Sequence, residues 1–423
     1  MKYRYKSQKS LVVVVSVYLI VFAIMSLTRF FSFIQLKMFD RDGYLNHINR
    51  FEDQSFYDEI AYGTSVVFNA FIYFINYFHN NLDSSFRILN VIPVVLLGLL
   101  GGIIIFKNRD EHKWLTFLFI PLFMLFWLND EQVQWTNNDI FLSVIVLLIY
   151  LLLFTSYRLG NKAVNLGILF ALLFSTRLEF SLVLIPSFIF CFVTLLMNKK
   201  IKKKHLSLFS ITFILCLFVI HYPSIIESSN LSGFVKNEGL NYNHINSLGT
   251  MIMFDTDTWS FVGNYNNYWD VEKIEYYKDY YQITKLPDNF LEFIIRYPGY
   301  YIKLFLLNQS SILIHFFRRY GFMIFFPLIM LIQDFKIKKW QILIDKENLP
   351  FTMFLISSFT LSLVLNTIVE FRWFDTFEFL LLLLSIFISI KKMINKNIRF
   401  QSILIITLIL VTIFNLRTIV NIF

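Results

Sequence analysis

The chain has 423 residues, of which 57% are hydrophobic and 19% aromatic, and its formal net charge is +9. A soluble domain carries roughly 45–50% apolar residues and does not repeat nearly uncharged runs of about 20 residues, so this composition excludes an ordinary soluble protein. The lysines and arginines occur in short groups between apolar runs, which is typical of cytoplasmic membrane loops and not of a surface that binds nucleic acid.

The first predicted element is the apolar run Leu11–Leu36, which follows a basic N-terminal stretch. It is longer than the core of a signal peptide and lacks a small-residue cleavage site, so we expect a retained first helix. This helix leads into a first outer loop at 37–63. The short aromatic run Thr64–Phe78 is predicted to be re-entrant or to lie on the surface, because every later basic group then falls on the cytoplasmic side.

Apolar runs of spanning length continue to the end of the chain. Further spans are predicted at Phe86–Phe106, Trp114–Leu128, Ile140–Tyr157, Ala163–Thr176, Phe180–Met197, Leu206–Tyr222, Gly321–Gln333, Phe351–Val369, Phe377–Ile390 and Ser402–Asn421. The hydrophilic segment 223–298 is predicted as a long outer loop, and Tyr300–Phe317, bracketed by basic residues, as a helix along the membrane surface. The fold prediction is a single all-α polytopic membrane domain over 1–423, with about eleven transmembrane helices, outer-face loops and interfacial helices.

The first outer loop carries Asp40 and Asp42, followed by Tyr44 and His47. A turn-forming, solvated Asp-Gly loop is one interpretation of this sequence. Carboxylates at the edge of a hydrocarbon layer are costly to place, however, and a group transfer to a hydroxyl requires a base beside the attacking oxygen. We therefore predict that Asp40 or Asp42 is a catalytic base, with Tyr44 and His47 in the substrate site.

Asp139 stands at the outer mouth of the span Ile140–Tyr157, after Asn137 and Asn138. Capping of the helix N-terminus explains such residues. The functional interpretation is a second catalytic carboxylate that orients the acceptor or, together with Asp40, holds a divalent cation. The two interpretations are compatible. The histidines show no paired spacing that would indicate a zinc site.

Two further polar pairs interrupt the apolar sequence on the predicted outer side: Arg177 with Glu179, and Glu370 with Arg372. Each could form a local ion pair in a short hairpin. The alternative is substrate binding, because a lipid phosphate presents its head group at this depth and arginine binds phosphate with two parallel hydrogen bonds. All these polar groups fall on the same predicted side of the membrane.

With these motifs in place, the chain resembles the GT-C superfamily of membrane glycosyltransferases, nearest the protein O-mannosyltransferase and aminoarabinose-transferase type. The resemblance is carried by the D-x-x-x-Y loop Asp40–Tyr44, Arg87 and Asp139 at the starts of spans, the segment Pro287–Tyr301 with its Pro-Gly-x-Tyr end, and RWFDTFEFLLLLL in a late span. The likeness extends over nearly the whole length.

The resemblance implies a GT-C-like bundle, a polyprenyl-phosphate sugar donor and Asp40 as the catalytic carboxylate of an inverting single displacement on the outer face. The acceptor would be a lipid, a glycan or a protein, and the enzyme would be a multi-pass protein of the plasma (inner) membrane with its active site facing outside or towards the periplasm. Because Arg41 follows Asp40 where the family often has an acidic residue, Asp42 is an alternative base. An O-antigen or capsule polymerase or ligase, and a transporter of lipid-linked glycan, are the other functions considered.

Overall fold

The computed structural model describes residues 16, 66–107, 138–154, 159–176, 185–189, 202–228, 242–255, 287, 290–338, 347–365 and 375–394. These residues are α-helical almost throughout and contain no β-strand, which confirms the predicted all-α class for this part of the chain. The predicted spans Leu11–Leu36 (apart from residue 16), Trp114–Leu128 and Ser402–Asn421 lie outside the described residues.

The helices are named here in chain order. They are α1 (Val66–His79), α2 (Leu82–Lys107), α3 (Asn138–Phe154), α4 (Leu159–Thr176), α5 (Lys203–Ser228), α6 (Tyr242–Asp255), α7 (Phe290–Arg296), α8 (Pro298–Tyr320), α9 (Phe325–Lys338), α10 (Leu349–Val364) and α11 (Asp375–Ile394), with a 3₁₀ turn at Gly321–Ile324 between α8 and α9. Residues 185–189 are also helical.

Helices α1 and α2 form a tight hairpin. Asn80 ends α1 with a φ of 49°, a left-handed conformation that asparagine tolerates better than most residues. The Asn81 side chain then accepts a hydrogen bond of 3.0 Å from the Ser84 backbone N–H, which caps the start of α2. Since α1 has 14 residues, it is about 21 Å long, shorter than a hydrocarbon core of about 30 Å. The prediction that the run Thr64–Phe78 is re-entrant or lies on the surface stays a prediction.

Helices α3 and α11 form the centre of the bundle and contact each other. In α11 every residue from 381 to 390 is buried, and in α3 Leu142 and the residues 144–147 are buried. A helix that is apolar on all sides is stable only when other helices or lipid surround it. The Leu-, Ile- and Phe-rich sequences of these helices fit their central position.

Helices α4 and α5 pack side by side and run in the same direction. Gly167 faces Phe209 and Thr212, the rings of Phe170 and Phe209 are 5.4 Å apart, and further along Ser175 meets His221. Adjacent parallel helices need a connection that returns along the bundle. The predicted span Phe180–Met197 would supply it, and its described part, 185–189, lies between α4 and α10, with Phe188 against Phe170 and Ser187 near Met353.

Gly167 permits the close approach of α4 and α5. A Cβ atom at this position would lie 2.9 Å from the Phe209 carbonyl oxygen and 2.9 Å from the Thr212 Cβ. Contacts this short involve the backbone and cannot be relieved by rotating a side chain. Small residues serve this purpose where helices pack tightly in lipid.

Replacing Gly167 with alanine is expected to push α4 and α5 apart and to lower the free energy of unfolding by about 1–3 kcal/mol. The matched control is Gly299→Ala, because a Cβ at Gly299 meets nothing within 4 Å. Thermal unfolding of the purified protein in detergent measures both variants. Equal melting temperatures for the two variants would contradict the proposed close packing.

Helix α8 runs antiparallel to α10. The Tyr301 hydroxyl donates a 2.9 Å hydrogen bond to the Leu363 carbonyl, the Phe305 and Phe359 rings are 5.6 Å apart, and Phe316 packs on Phe354. The contacts thus follow α10 over much of its length. A stripe of buried residues on α8 therefore packs along α10. The prediction from its flanking basic residues, that Tyr300–Phe317 lies along the membrane surface, stays a prediction.

Lysines and their partners gather at one end of α9, α10 and α11. Lys392, near the end of α11, pairs with Asp334 at 3.1 Å and with Glu347, while the Asn348 side chain donates to Asp334 at 3.4 Å. In the pair formed by α4 and α5, lysines likewise stand at the start of each helix. We call these the basic ends of the helices and the opposite ends the polar ends.

The segment 223–298, predicted as a long outer loop, contains regular structure. Helix α5 continues through Pro223 to Ser228, and α6 and α7 lie within the segment. Leu248 and Met251 of α6 pack with Phe293 of α7, which explains why this hydrophilic stretch still forms helices. Pro298 is the first residue of α8, a position where its missing N–H costs nothing.

Among the described residues, Lys203–Ile226 is the single stretch long and apolar enough to cross a membrane as one helix. Pro298–Phe317 and Gly321–Phe335 meet the same criterion only as a pair bent by 118°, as in a broken span or a re-entrant loop. The other predicted crossings stay predictions. Along α5 large apolar side chains are exposed, namely Ile211, Ile214, Leu215, Phe218, Val219 and Ile226. Patches of this kind mark contact with lipid or with another protein.

Candidate active site

Most residues predicted for the active site lie outside the described residues. These are Asp40, Asp42, Tyr44, His47, Arg177, Glu179, Glu370 and Arg372. In the sequence, Arg177 directly follows the last residue of α4, and Glu370 and Arg372 stand between the polar ends of α10 and α11.

Asp139 is the second residue of α3, whose first residue is Asn138. An acidic residue in the first turn interacts favourably with the positive end of the helix dipole, and Asn is a preferred residue at a helix start. The position therefore agrees with the helix-start interpretation. The additional role as a catalytic carboxylate stays a prediction.

A buried serine–histidine pair joins the polar ends of α4 and α5. The Ser175 Oγ and the His221 Nε2 are 2.9 Å apart, and both side chains are buried. Ser175 also donates a 2.7 Å hydrogen bond to the Ala171 carbonyl. Arg177, a predicted phosphate-binding residue outside the described part of the chain, follows Ser175 by two positions in the sequence.

The hydrogen bonds of Ser175 determine the tautomer of His221. A serine hydroxyl has one proton, and when that proton is directed to Ala171 the oxygen accepts from the Nε2–H of His221. The neutral imidazole then carries its lone pair on Nδ1. Among the described residues this buried Nδ1 has no hydrogen-bond partner. The pair thus fixes α4 to α5 and leaves one acceptor nitrogen for a further donor.

Replacing Ser175 with alanine is expected to lower the free energy of unfolding by about 1–3 kcal/mol, because the buried His221 then loses its acceptor. The double variant Ser175→Ala/His221→Leu is expected to be less destabilised than the sum of the single variants, since no polar group stays unpaired. Thermal unfolding of the single and double variants measures the coupling free energy between the two side chains. Strict additivity would show that the two side chains do not interact.

A buried carboxylate connects α8, α10 and α11. Glu378, in the first turn of α11, is fully buried, and its Oε2 accepts a 2.6 Å hydrogen bond from the Ser358 hydroxyl. The Gln309 side chain donates a 3.1 Å hydrogen bond to the backbone carbonyl of the same serine. Moving a carboxylate from water into the interior costs on the order of several kcal/mol unless hydrogen bonds compensate. Glu378 is therefore both a structural link and a candidate functional residue.

Sequence reasoning did not select Glu378 or His221. Glu378 was placed inside the predicted span Phe377–Ile390, and His221 inside Leu206–Tyr222. The available signal was an ionisable side chain within an apolar helix, which is by itself an indication of function. The site residues were predicted from charges between the spans, for example Arg177 and Arg372, and these two groups lie within spans.

The described helices contain no group of three or more His, Cys, Asp or Glu side chains placed to hold a metal ion. The predicted use of Asp40 and Asp139 for a divalent cation concerns a residue outside this part of the chain and stays a prediction. No protein-family model, curated protein or solved structure gives a significant match to this chain. The resemblance to the GT-C superfamily stays a prediction from the sequence motifs.

Proposed function

We propose that this protein is an integral membrane glycosyltransferase of the GT-C type, which transfers a sugar from a polyprenyl-phosphate donor to an acceptor on the outer face of the membrane. The observation that carries the proposal is the position of the buried polar side chains. Ser175, His221 and Glu378 lie at the helix ends opposite the lysines, within predominantly apolar helices.

The exposed apolar faces support a location in the membrane. On α5, α8 and α9 the outward side chains are largely Ile, Leu, Val and Phe. In water such faces would drive aggregation, whereas hydrocarbon solvates them. The lysines at the basic ends agree with a cytoplasmic side, so the polar ends would face outward, where a lipid-linked donor presents its phosphate.

The attachment points of the predicted ligands support a shared site. Arg177 follows the polar end of α4, Arg372 precedes the polar end of α11, and Asp139 begins α3, which contacts both α4 and α11. Arginines at this depth would bind the donor phosphate through paired hydrogen bonds. The same contact would stabilise the phosphate as it becomes the leaving group.

The proposed reaction is a single displacement. A carboxylate of the first outer loop, Asp40 or alternatively Asp42, accepts the proton of the acceptor hydroxyl as its oxygen attacks the anomeric carbon. The new C–O bond forms on one face of the sugar while the bond to the phosphate oxygen breaks on the other. The electron pair leaves with the polyprenyl phosphate, and the configuration at the anomeric carbon is inverted.

A transporter of lipid-linked glycan is the second candidate. Glu378 favours it, because ionisable groups buried within membrane helices are typical of substrate and ion pathways. A polymerase or ligase of O-antigen or capsule would use the same donor chemistry and differ in the acceptor.

The test is transfer from a panel of radiolabelled polyprenyl-phosphate sugars by the full-length purified protein in nanodiscs, with and without EDTA. We expect turnover of one donor and a product of inverted configuration. Movement of the labelled lipid across liposome membranes without any product would contradict the enzyme and support the transporter. Loss of turnover in EDTA would support the predicted cation.

A further inference from the structure

An exposed carboxylate is oriented by a neighbouring helix. Asp255 is the last described residue of α6. The Tyr300 hydroxyl, from the start of α8, donates a 2.7 Å hydrogen bond to its Oδ1. This hydrogen bond orients the exposed carboxylate, and its aromatic neighbours indicate a binding role.

Three aromatic rings pack together beside Asp255. The ring centroids of Phe254 and Tyr300 are 6.4 Å apart, and those of Tyr297 and Tyr300 are 6.3 Å apart. The Lys303 Nζ lies 5.7 Å from the Phe254 centroid. The three rings are half-buried, while Asp255 and Lys303 are exposed. We call these five residues the Asp255 platform.

The platform is held by packed helices. Leu248 and Met251 of α6 pack with Phe293 of α7, and the partly buried rings of Tyr297 and Tyr300 lie against this core. Met253 packs with Leu304 and Leu307 of α8. A site carried by the packed ends of helices keeps its geometry before a ligand arrives, which lowers the entropy cost of binding.

We propose that the Asp255 platform binds a pyranose ring of the acceptor, so that the acceptor of this transferase is a carbohydrate. This inference rests on the proposed function. Sugar hydroxyls would donate to the Asp255 carboxylate and accept from Lys303, and the apolar C–H face of the ring would pack against an aromatic face. Asp255 and Lys303 carry opposite charges and are both exposed, which suits the uncharged hydroxyls of an acceptor sugar.

The direct test is saturation-transfer NMR of the methyl pyranosides of glucose, galactose and mannose with the full-length protein in nanodiscs. We expect at least one of them to bind the wild type, and Asp255→Asn and Phe254→Leu each to weaken its binding at least tenfold. Tyr300→Phe keeps the ring but removes the hydroxyl that orients Asp255, and a smaller loss is expected. Tyr77→Phe is the matched control, because Tyr77 is exposed on α1, away from the platform.

Binding of none of the pyranosides, or equal binding by wild type, Asp255→Asn and Phe254→Leu, would overturn the proposal. Gel filtration and thermal unfolding show whether each variant is folded. Kinetics separate this inference from the proposed function: in an active enzyme Asp255→Asn should raise the KM for the acceptor at least tenfold and leave the KM for the donor within twofold. Pyranoside binding without turnover of any donor would instead contradict the transferase and still support sugar binding at the platform.

Discussion

Replacing Asp40 with asparagine is expected to lower the rate of sugar transfer by about 10²- to 10⁴-fold, the usual contribution of a positioned general base. Asparagine keeps the size of the side chain but cannot accept the proton of the attacking hydroxyl. The fold and the binding of the lipid donor should be unchanged. Single-turnover transfer from a labelled polyprenyl-phosphate sugar measures the effect on the chemical step.

The matched variant is Asp42→Asn, which makes the same change two positions along the same loop. We expect Asp42→Asn to retain most of the activity. The reverse result, an active Asp40→Asn and an inactive Asp42→Asn, would assign the base to Asp42. Full activity of both variants would show that neither Asp40 nor Asp42 is the catalytic base.

Replacing Glu378 with alanine is expected to lower the free energy of unfolding by about 2–4 kcal/mol, through the lost packing of its methylenes and the loss of the acceptor for Ser358. Because Glu378 also joins α10 to α11, the helices should separate at a lower temperature. Glu378→Gln is expected to cost less, since its side-chain oxygen can still accept the hydroxyl proton of Ser358. Thermal unfolding in one detergent measures both.

The control for Glu378 is Glu347→Ala at the basic end, where the carboxylate is half exposed and paired with Lys392. Exposed ion pairs contribute about 0–1 kcal/mol, so this variant should melt close to the wild type. Equal melting temperatures for Glu378→Ala and Glu347→Ala would contradict the structural role of the buried carboxylate. A stable Glu378→Gln variant that has lost transfer would show that the charge also serves the reaction.

The positions of most described helices could be predicted from apolar runs. The runs Phe86–Phe106, Ala163–Thr176 and Leu206–Tyr222 fall within α2, α4 and α5. The predicted ends were less accurate: α5 continues through Pro223, and hydrophilic residues after it form α6 and α7. Hydropathy detects the part of a helix that contacts apolar surroundings, whereas a helix continues as long as its backbone hydrogen bonds and packing are favourable.

The candidate site could be predicted only where charges interrupt apolar runs. Asp139 at the start of α3 follows from that pattern, and Arg177 and Arg372 flank described helix ends as expected. The partnership of Glu378 with Ser358, and of His221 with Ser175, could not be predicted in this way. Each pair joins residues that are distant in sequence. The spacing of hydrophobic residues along the chain does not indicate which helices are neighbours.

By itself the sequence determined that the described chain is helical and at which helix ends the lysines stand, because composition and charge act locally along the chain. Only the tertiary structure decided that α4 and α5 are neighbours, that α8 follows α10, and that Asp255 meets Tyr300. Those arrangements depend on the fit of surfaces between distant segments, such as the space that Gly167 leaves for the backbone of α5. The fit exists only once the helices have packed.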